Sequence, residues 1–138
     1  MRIKITRDPL IAEPVIKSLV IKEHGAVTTF MGTVRLHNEG RTVDYLDYEA
    51  YPEMAEEQMR AIAEEVKKMP QVEDVSIVHR IGKLHVGETS LIVAVASKHR
   101  REGFNACLHA VERIKELVPI WKKEVWAEGA EWVRSKGA

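Results

Sequence analysis

Apolar and polar residues alternate through Met1–Thr6 (MRIKIT), which predicts a short first strand. Pro14 suits the first position of a helix running to about Val20, where its missing N–H is not needed. Residues 25–35, GAVTTFMGTVR, are β-branched and aromatic. They predict a strand, with a bulge or a close backbone approach at Gly32. The cluster HNEGRT at 37–42 predicts a turn, and VDYLDYEAY at 43–51 a strand in a hairpin with the one before. Pro52 opens a helix to about Lys68, in which Ala55, Met59, Ile62 and Val66 recur at helical spacing. Residues 72–82 (VEDVSIVHRIG) and 89–100 (TSLIVAVASKHR) predict two strands joined by a loop around Gly82 and Gly87. The unbroken apolar run Leu91–Ala96 marks the second as a central strand. A helix from about Arg101 to Val118 follows and Pro119 stops it. The segment IWKKEVWAEGAEWV then reads as extended, with a turn at Gly129.

Helices and hairpins are mixed in this order. The fold class is therefore α+β, a mostly antiparallel mixed sheet with three helices, in a single domain spanning 1–138. A doubly wound parallel sheet fits worse, because two adjacent strand pairs lack an intervening helix. Of the 138 residues, 21 are Lys or Arg and 21 are Asp or Glu. That balance argues against a general nucleic-acid or anionic-membrane binder, so any anion site must be local. The single cysteine, Cys107, has no intrachain partner, which points to a reducing, cytoplasmic setting. The sequence shows no apolar run long enough to cross a membrane and no secretory leader.

Candidate chemistry centres on lysine. On a helical projection of residues 101–118, Phe104, Cys107, Leu108, Val111, Ile114 and Val118 form one apolar face, with Lys115 between Phe104 and Leu108. Lys115 then either snorkels to water or is a partly desolvated amine of lowered pKa, able to act as acid, base or nucleophile. Lys122 and Lys123 follow the helix stop and point to opposite sides of an extended segment. Lys123 reads as solvated. Lys122 gains interest only if the chain folds back beside Lys115.

In SKHRREGF (97–104), His99 and Arg100 sit where a strand turns into a helix. Such a helix N-terminus with basic side chains suits an anion, although a solvated corner is the plainer alternative. Arg35 closes the strand 25–35, and His79-Arg80 closes another and reads as structural or interfacial. The remaining histidines show no metal-ligand spacing, and neither P-loop, G-x-G-x-x-G nor G-x-S-x-G is present. No metal and no cofactor is expected.

GAVTTFMGTVR, YEAYPEMA, HRIGKLHVGE, VAVASKHR and VPIWKKE occur in this order, followed by EWV. Together they resemble the large, catalytic subunit of molybdopterin synthase, over about Gly25 to Val133. The resemblance implies an α/β-hammerhead-like fold. It also implies a sulfurtransferase that converts cyclic pyranopterin monophosphate (precursor Z) to molybdopterin in molybdenum cofactor biosynthesis. The two dithiolene sulfurs would come from the C-terminal glycine thiocarboxylate of a small ubiquitin-like subunit. The implied assembly is a homodimer of this chain within a heterotetramer. By the same resemblance Lys115 and Lys122 are catalytic, and Arg35, His99, Arg100, Lys115 and Lys122 bind substrate, with His99 and Arg100 contributed across the dimer interface. Glu124 matches a glutamate expected to pair with a base. Cys107, on the apolar face and without a partner, is a poor sulfur donor.

Overall fold

A computed structural model describes residues 1–127 and 129–134. The elements, in chain order, are β1 (Arg2–Thr6), α1 (Ala12–Leu19), β2 (Ala26–Thr33), β3 (His37–Asn38), β4 (Arg41–Thr42), β5 (Tyr45–Ala50) and α2 (Pro52–Lys67). There follow β6 (Val72–Arg80), β7 (Gly82–His85), β8 (Thr89–Ser97), α3 (Arg100–Leu117), β9 (Ile120–Trp126) and β10 (Gly129–Arg134).

Two four-stranded sheets carry the fold, in the orders β1-β6-β8-β2 and β10-β9-β5-β7. Among the described residues only β1 and β6 pair in parallel and every other pairing is antiparallel, so the α+β, mostly antiparallel class holds. β8 is internal to its sheet, and its run Leu91–Ala96 is buried throughout. α2 and α3 pack on one face of the first sheet, and Leu46, Tyr48, Leu84 and Ile120 of the second sheet join the same core. α1 covers the opposite face with Val15 and Leu19 against Val78, Ile92, Ala94 and Ala96.

Three features differ from the sequence expectation. First, β5 does not form a hairpin with β2. β2 pairs with β8, while β5 lies between β9 and β7. The reason is local: residues 37–42 close their own small hairpin, β3–β4, with Glu39 (φ 51°) and Gly40 (φ 77°) in the left-handed region at its tip. The chain has thus already reversed before β5 begins. Second, the segment after Gly82 is a strand and not a loop. Gly82 takes φ 95°, which turns the chain out of β6 and into the second sheet as β7. Third, Pro14 is the third residue of α1 and not its first, which costs nothing because first-turn N–H groups have no helical acceptor. The irregularity at Gly32 is present as a register shift between Gly32 and Thr33.

Candidate functional site

α3 turns a different face to the core than the projection implied. Its buried residues are Gly103, Ala106, Cys107, Ala110, Val111 and Ile114. Phe104 and Leu108 are 64% and 60% exposed. The apolar arc is therefore rotated, and Lys115 lies at its flank, in line with Phe104 and Leu108, and not inside it. Small residues explain the shift: Gly103 and the two alanines let α3 approach the sheet closely. A Cβ on Gly103 would lie 2.6 Å from Thr28 Oγ1 and 2.7 Å from Ser97 Oγ.

Lys115 is nonetheless desolvated. It is half-buried, and burial together with the charge of Lys122 brings its pKa down to about 8. Roughly a tenth of it is then free amine at pH 7, against almost none for an ordinary lysine. The second lysine is delivered by the fold-back of β9 that Pro119 initiates. The side chain of Lys122 is only 16% exposed. Lys123 lies on the other face, with its ammonium 5.7 Å from the Trp132 ring.

Lys122 Nζ is 3.6 Å from Glu124 Oε1. Glu124 itself is 2% exposed, and Asn38 Nδ2 donates to the same oxygen at 2.5 Å. The expected pairing of Glu124 with a base is thus present, with Asn38 as an added partner. Tyr48, opposite Lys122 in the β5–β9 register, has its hydroxyl pKa raised by burial, against the lowering effect of a bond to Ser90, with the Glu124 charge adding to the rise.

Beneath the lysines lies His79, 4% exposed. Its Nδ1–H donates to the Arg80 carbonyl at 2.8 Å, and its ring meets Tyr48 edge-on at 5.4 Å. Burial lowers its pKa to about 4, the bond to the Arg80 carbonyl opposes this, and the Lys115 charge adds to the fall. It is a neutral imidazole at physiological pH. The sequence held a signal for it: Val75, Ile77 and His79 alternate along β6, which points the imidazole into the core. Asn38 carried no such signal, since its role depends on a contact across 86 positions of chain.

Arg35 leaves the end of β2 that lies at the C-terminal end of α3, because β2 runs antiparallel to β8 and α3 packs back over both. It is exposed at the same end of the molecule as Lys115. His99 and Arg100 are not brought there. They begin α3, where an open groove of about 530 Å³ is lined by residues 99–102, Phe104 and Asn105. Fifteen residues of helix separate Arg100 from Lys115, about 22 Å along the axis. Within one chain the candidate residues thus form two groups. Among the described residues no cluster of His, Cys, Asp and Glu could hold a metal. No helix among the described residues is long and apolar enough to cross a membrane. Cys107 is buried, and burial pushes its thiol up to about 11.

The family model described as MoaE protein matches residues 5–117. A molybdopterin synthase catalytic subunit from Bacillus subtilis is 42% identical over 132 residues, which cover 96% of this chain and 84% of that one. The crystal structure of molybdopterin synthase from Staphylococcus aureus superposes with a TM-score of 0.91 at 40% identity, covering 96% of this chain and 97% of the other. A complex of subunits 1 and 2 of molybdopterin-converting factor from Helicobacter pylori, at 20% identity and a TM-score of 0.78, covers 97% of this chain and 91% of that one and bears on the fold alone. With the motifs in order, the fold in common and the two lysines side by side, this chain belongs to the MoaE family, the catalytic subunits of molybdopterin synthase in molybdenum cofactor biosynthesis.

Proposed function

We propose that this chain catalyses sulfur transfer to cyclic pyranopterin monophosphate, from the C-terminal thiocarboxylate of a small ubiquitin-like subunit. The observation that carries the reading is the meeting of Lys115 and Lys122 at one half-buried place, with the Lys115 amine near pKa 8. Sulfur attack on the pterin side chain forms a C–S bond and breaks a C–O bond at the same carbon. The departing oxygen takes the electron pair and develops negative charge as it goes; it stays on the opened phosphate in one transfer and leaves as water in the other. A nearby ammonium stabilises that charge, and an amine that gives and takes a proton near neutrality serves the steps around it. Water then cleaves the acyl–sulfur bond, which leaves sulfur on the pterin and a carboxylate on the donor tail. Two such transfers make the dithiolene. Lys115 is the proton-transfer group, Lys122 holds the intermediate, and Arg35 binds the substrate from the same end. The buried thiol of Cys107 is no competitor as donor, because its raised pKa leaves almost no thiolate.

His99 and Arg100 complete the pocket from a second copy of the chain. The span of about 22 Å along α3 supports this, since one chain cannot bring both groups to one small substrate. So do the exposed Phe104 and Leu108 beside the basic pair and the position of β2 at a sheet edge, both suited to an isologous contact. The assembly is a homodimer with a small subunit bound to each copy, as a heterotetramer. The H. pylori complex joins two subunits of a molybdopterin-converting factor. The unpaired, reduced Cys107 fits a cytoplasmic setting.

The test is a product assay. The protein is mixed with the thiocarboxylated small subunit and precursor Z, and mass spectrometry follows the gain of two sulfurs, beside Lys115→Ala. Dithiolene product from the unaltered chain and none from Lys115→Ala supports the reading. Product at full rate from Lys115→Ala sinks the role of that lysine, and no product from either sinks the reaction.

A further inference from the structure

The 37–42 hairpin grips the strand that carries Lys122. Asn38 Nδ2 donates to Glu124 Oε1 at 2.5 Å. Arg41, across the hairpin, lies over the Trp126 ring at 4.0 Å and pairs with Glu131 Oε2 at 3.2 Å. Just beyond it, the Asp44 N–H donates to the Val125 carbonyl at 2.7 Å. Three successive residues of β9, Glu124 to Trp126, are thus held from one hairpin and its exit. Arg35, three residues before Asn38, enters the same hairpin.

A buried carboxylate must have its oxygens satisfied. Asn38 supplies a neutral donor to Oε1, so that oxygen does not depend on the ammonium alone. Lys122 Nζ stands 3.6 Å away, beyond the roughly 2.7–2.9 Å of a direct charge-assisted bond. We propose that Asn38 is a positioning residue: through Glu124 it holds the Lys122 ammonium beside the pocket and keeps it from collapsing onto the carboxylate. This rests on the reading of Lys122 as the group that holds the intermediate.

The test combines turnover with residue-resolved acylation of lysines, using acetic anhydride and the full chain. In Asn38→Ala, Glu124 Oε1 turns to Lys122 as its remaining donor. Turnover falls about tenfold, mostly in kcat, in line with one lost hydrogen bond to a charged group. Acylation of Lys122 slows severalfold while its neighbour Lys123, on the other face, is unchanged. Unchanged Lys122 acylation overturns the proposal. So does faster acylation of Lys122 and Lys115 together, which marks a loosened structure. Asn38→Asp gives a second measurement, since it keeps the shape and loses the donor. Its deficit relative to the unaltered protein shrinks as pH falls and the new carboxyl regains a proton to donate. A deficit independent of pH counts against the proposal. Full turnover in Lys122→Ala sinks the reading of Lys122 itself, while the acylation result still reports on Asn38.

Discussion

Lys115, in the last turn of α3, and Lys122, the third residue of β9, are two like charges brought together across the stop at Pro119. Burial does more than Lys122 to lower the proton affinity of Lys115, and Lys122 adds to it. Lys122 is offset by the buried Glu124 carboxylate, 3.6 Å from its ammonium.

Replacing Lys115 separates charge from proton transfer. Lys115→Ala should lower turnover by roughly 10²–10⁴-fold, the usual worth of a positioned acid–base group. Lys115→Arg keeps the charge but cannot release a proton near neutrality. It should be nearly as slow as alanine while leaving the melting temperature unchanged. Turnover near normal in Lys115→Arg would show that charge alone is needed.

The same shift sets a pH dependence of stability. Lys115 titrates near 8 in the folded chain and near its ordinary value of 10.5 when unfolded. Between those values the unfolded chain binds more protons, so its stability contribution rises with pH from about 8 to 10.5. Below 8 both states are protonated and the folded state carries the cost. Melting temperatures of the wild-type chain and Lys115→Ala, compared across this window, should converge as pH increases.

His79 acts at the acid end. Its folded pKa is about 4, against 6.5 when unfolded. Stability from the neutral imidazole is complete above 6.5 and is lost as pH falls towards 4, by about 3 kcal/mol in all. Denaturant melts of His79→Gln should lack this loss. An equal acid sensitivity in the variant would assign it to other groups.

Cys107→Ala should keep full sulfur transfer, because the thiol is buried and held protonated. The small cavity should cost on the order of 1 kcal/mol. Loss of product with the fold intact would make Cys107 a sulfur carrier.

Local pattern revealed most elements, and the unbroken run Leu91–Ala96 correctly placed β8 inside its sheet. Assignments that needed tertiary information went astray. Period and composition cannot say which sheet β5 joins, since that depends on the β3–β4 reversal before it. They put Phe104 and Leu108 in the core because both are large and apolar. The core instead took Gly103, Ala106 and Ala110, whose smallness lets α3 lie close to β2 and β8. The desolvation of Lys115 thus comes from burial at the flank and from β9 folding back, not from the middle of an apolar face. Alternation did separate Lys122 from Lys123. Only the fold showed that Lys122 pairs with Glu124 and that Asn38 donates to the same carboxylate.

α3 bears its basic groups at opposite ends, His99 and Arg100 at the first turn and Lys115 at the last. On the proposed two-copy arrangement each pocket draws one group from each chain, so when two chains altered at opposite ends pair, both defects fall in one pocket and the other is intact. Arg100→Ala and Lys115→Ala, each silent alone, should repair one another. Random pairing of equal amounts makes half the dimers mixed, each with one intact pocket, and recovers about a quarter of normal turnover. In a cell expressing both alleles, two null mutations of one gene would complement.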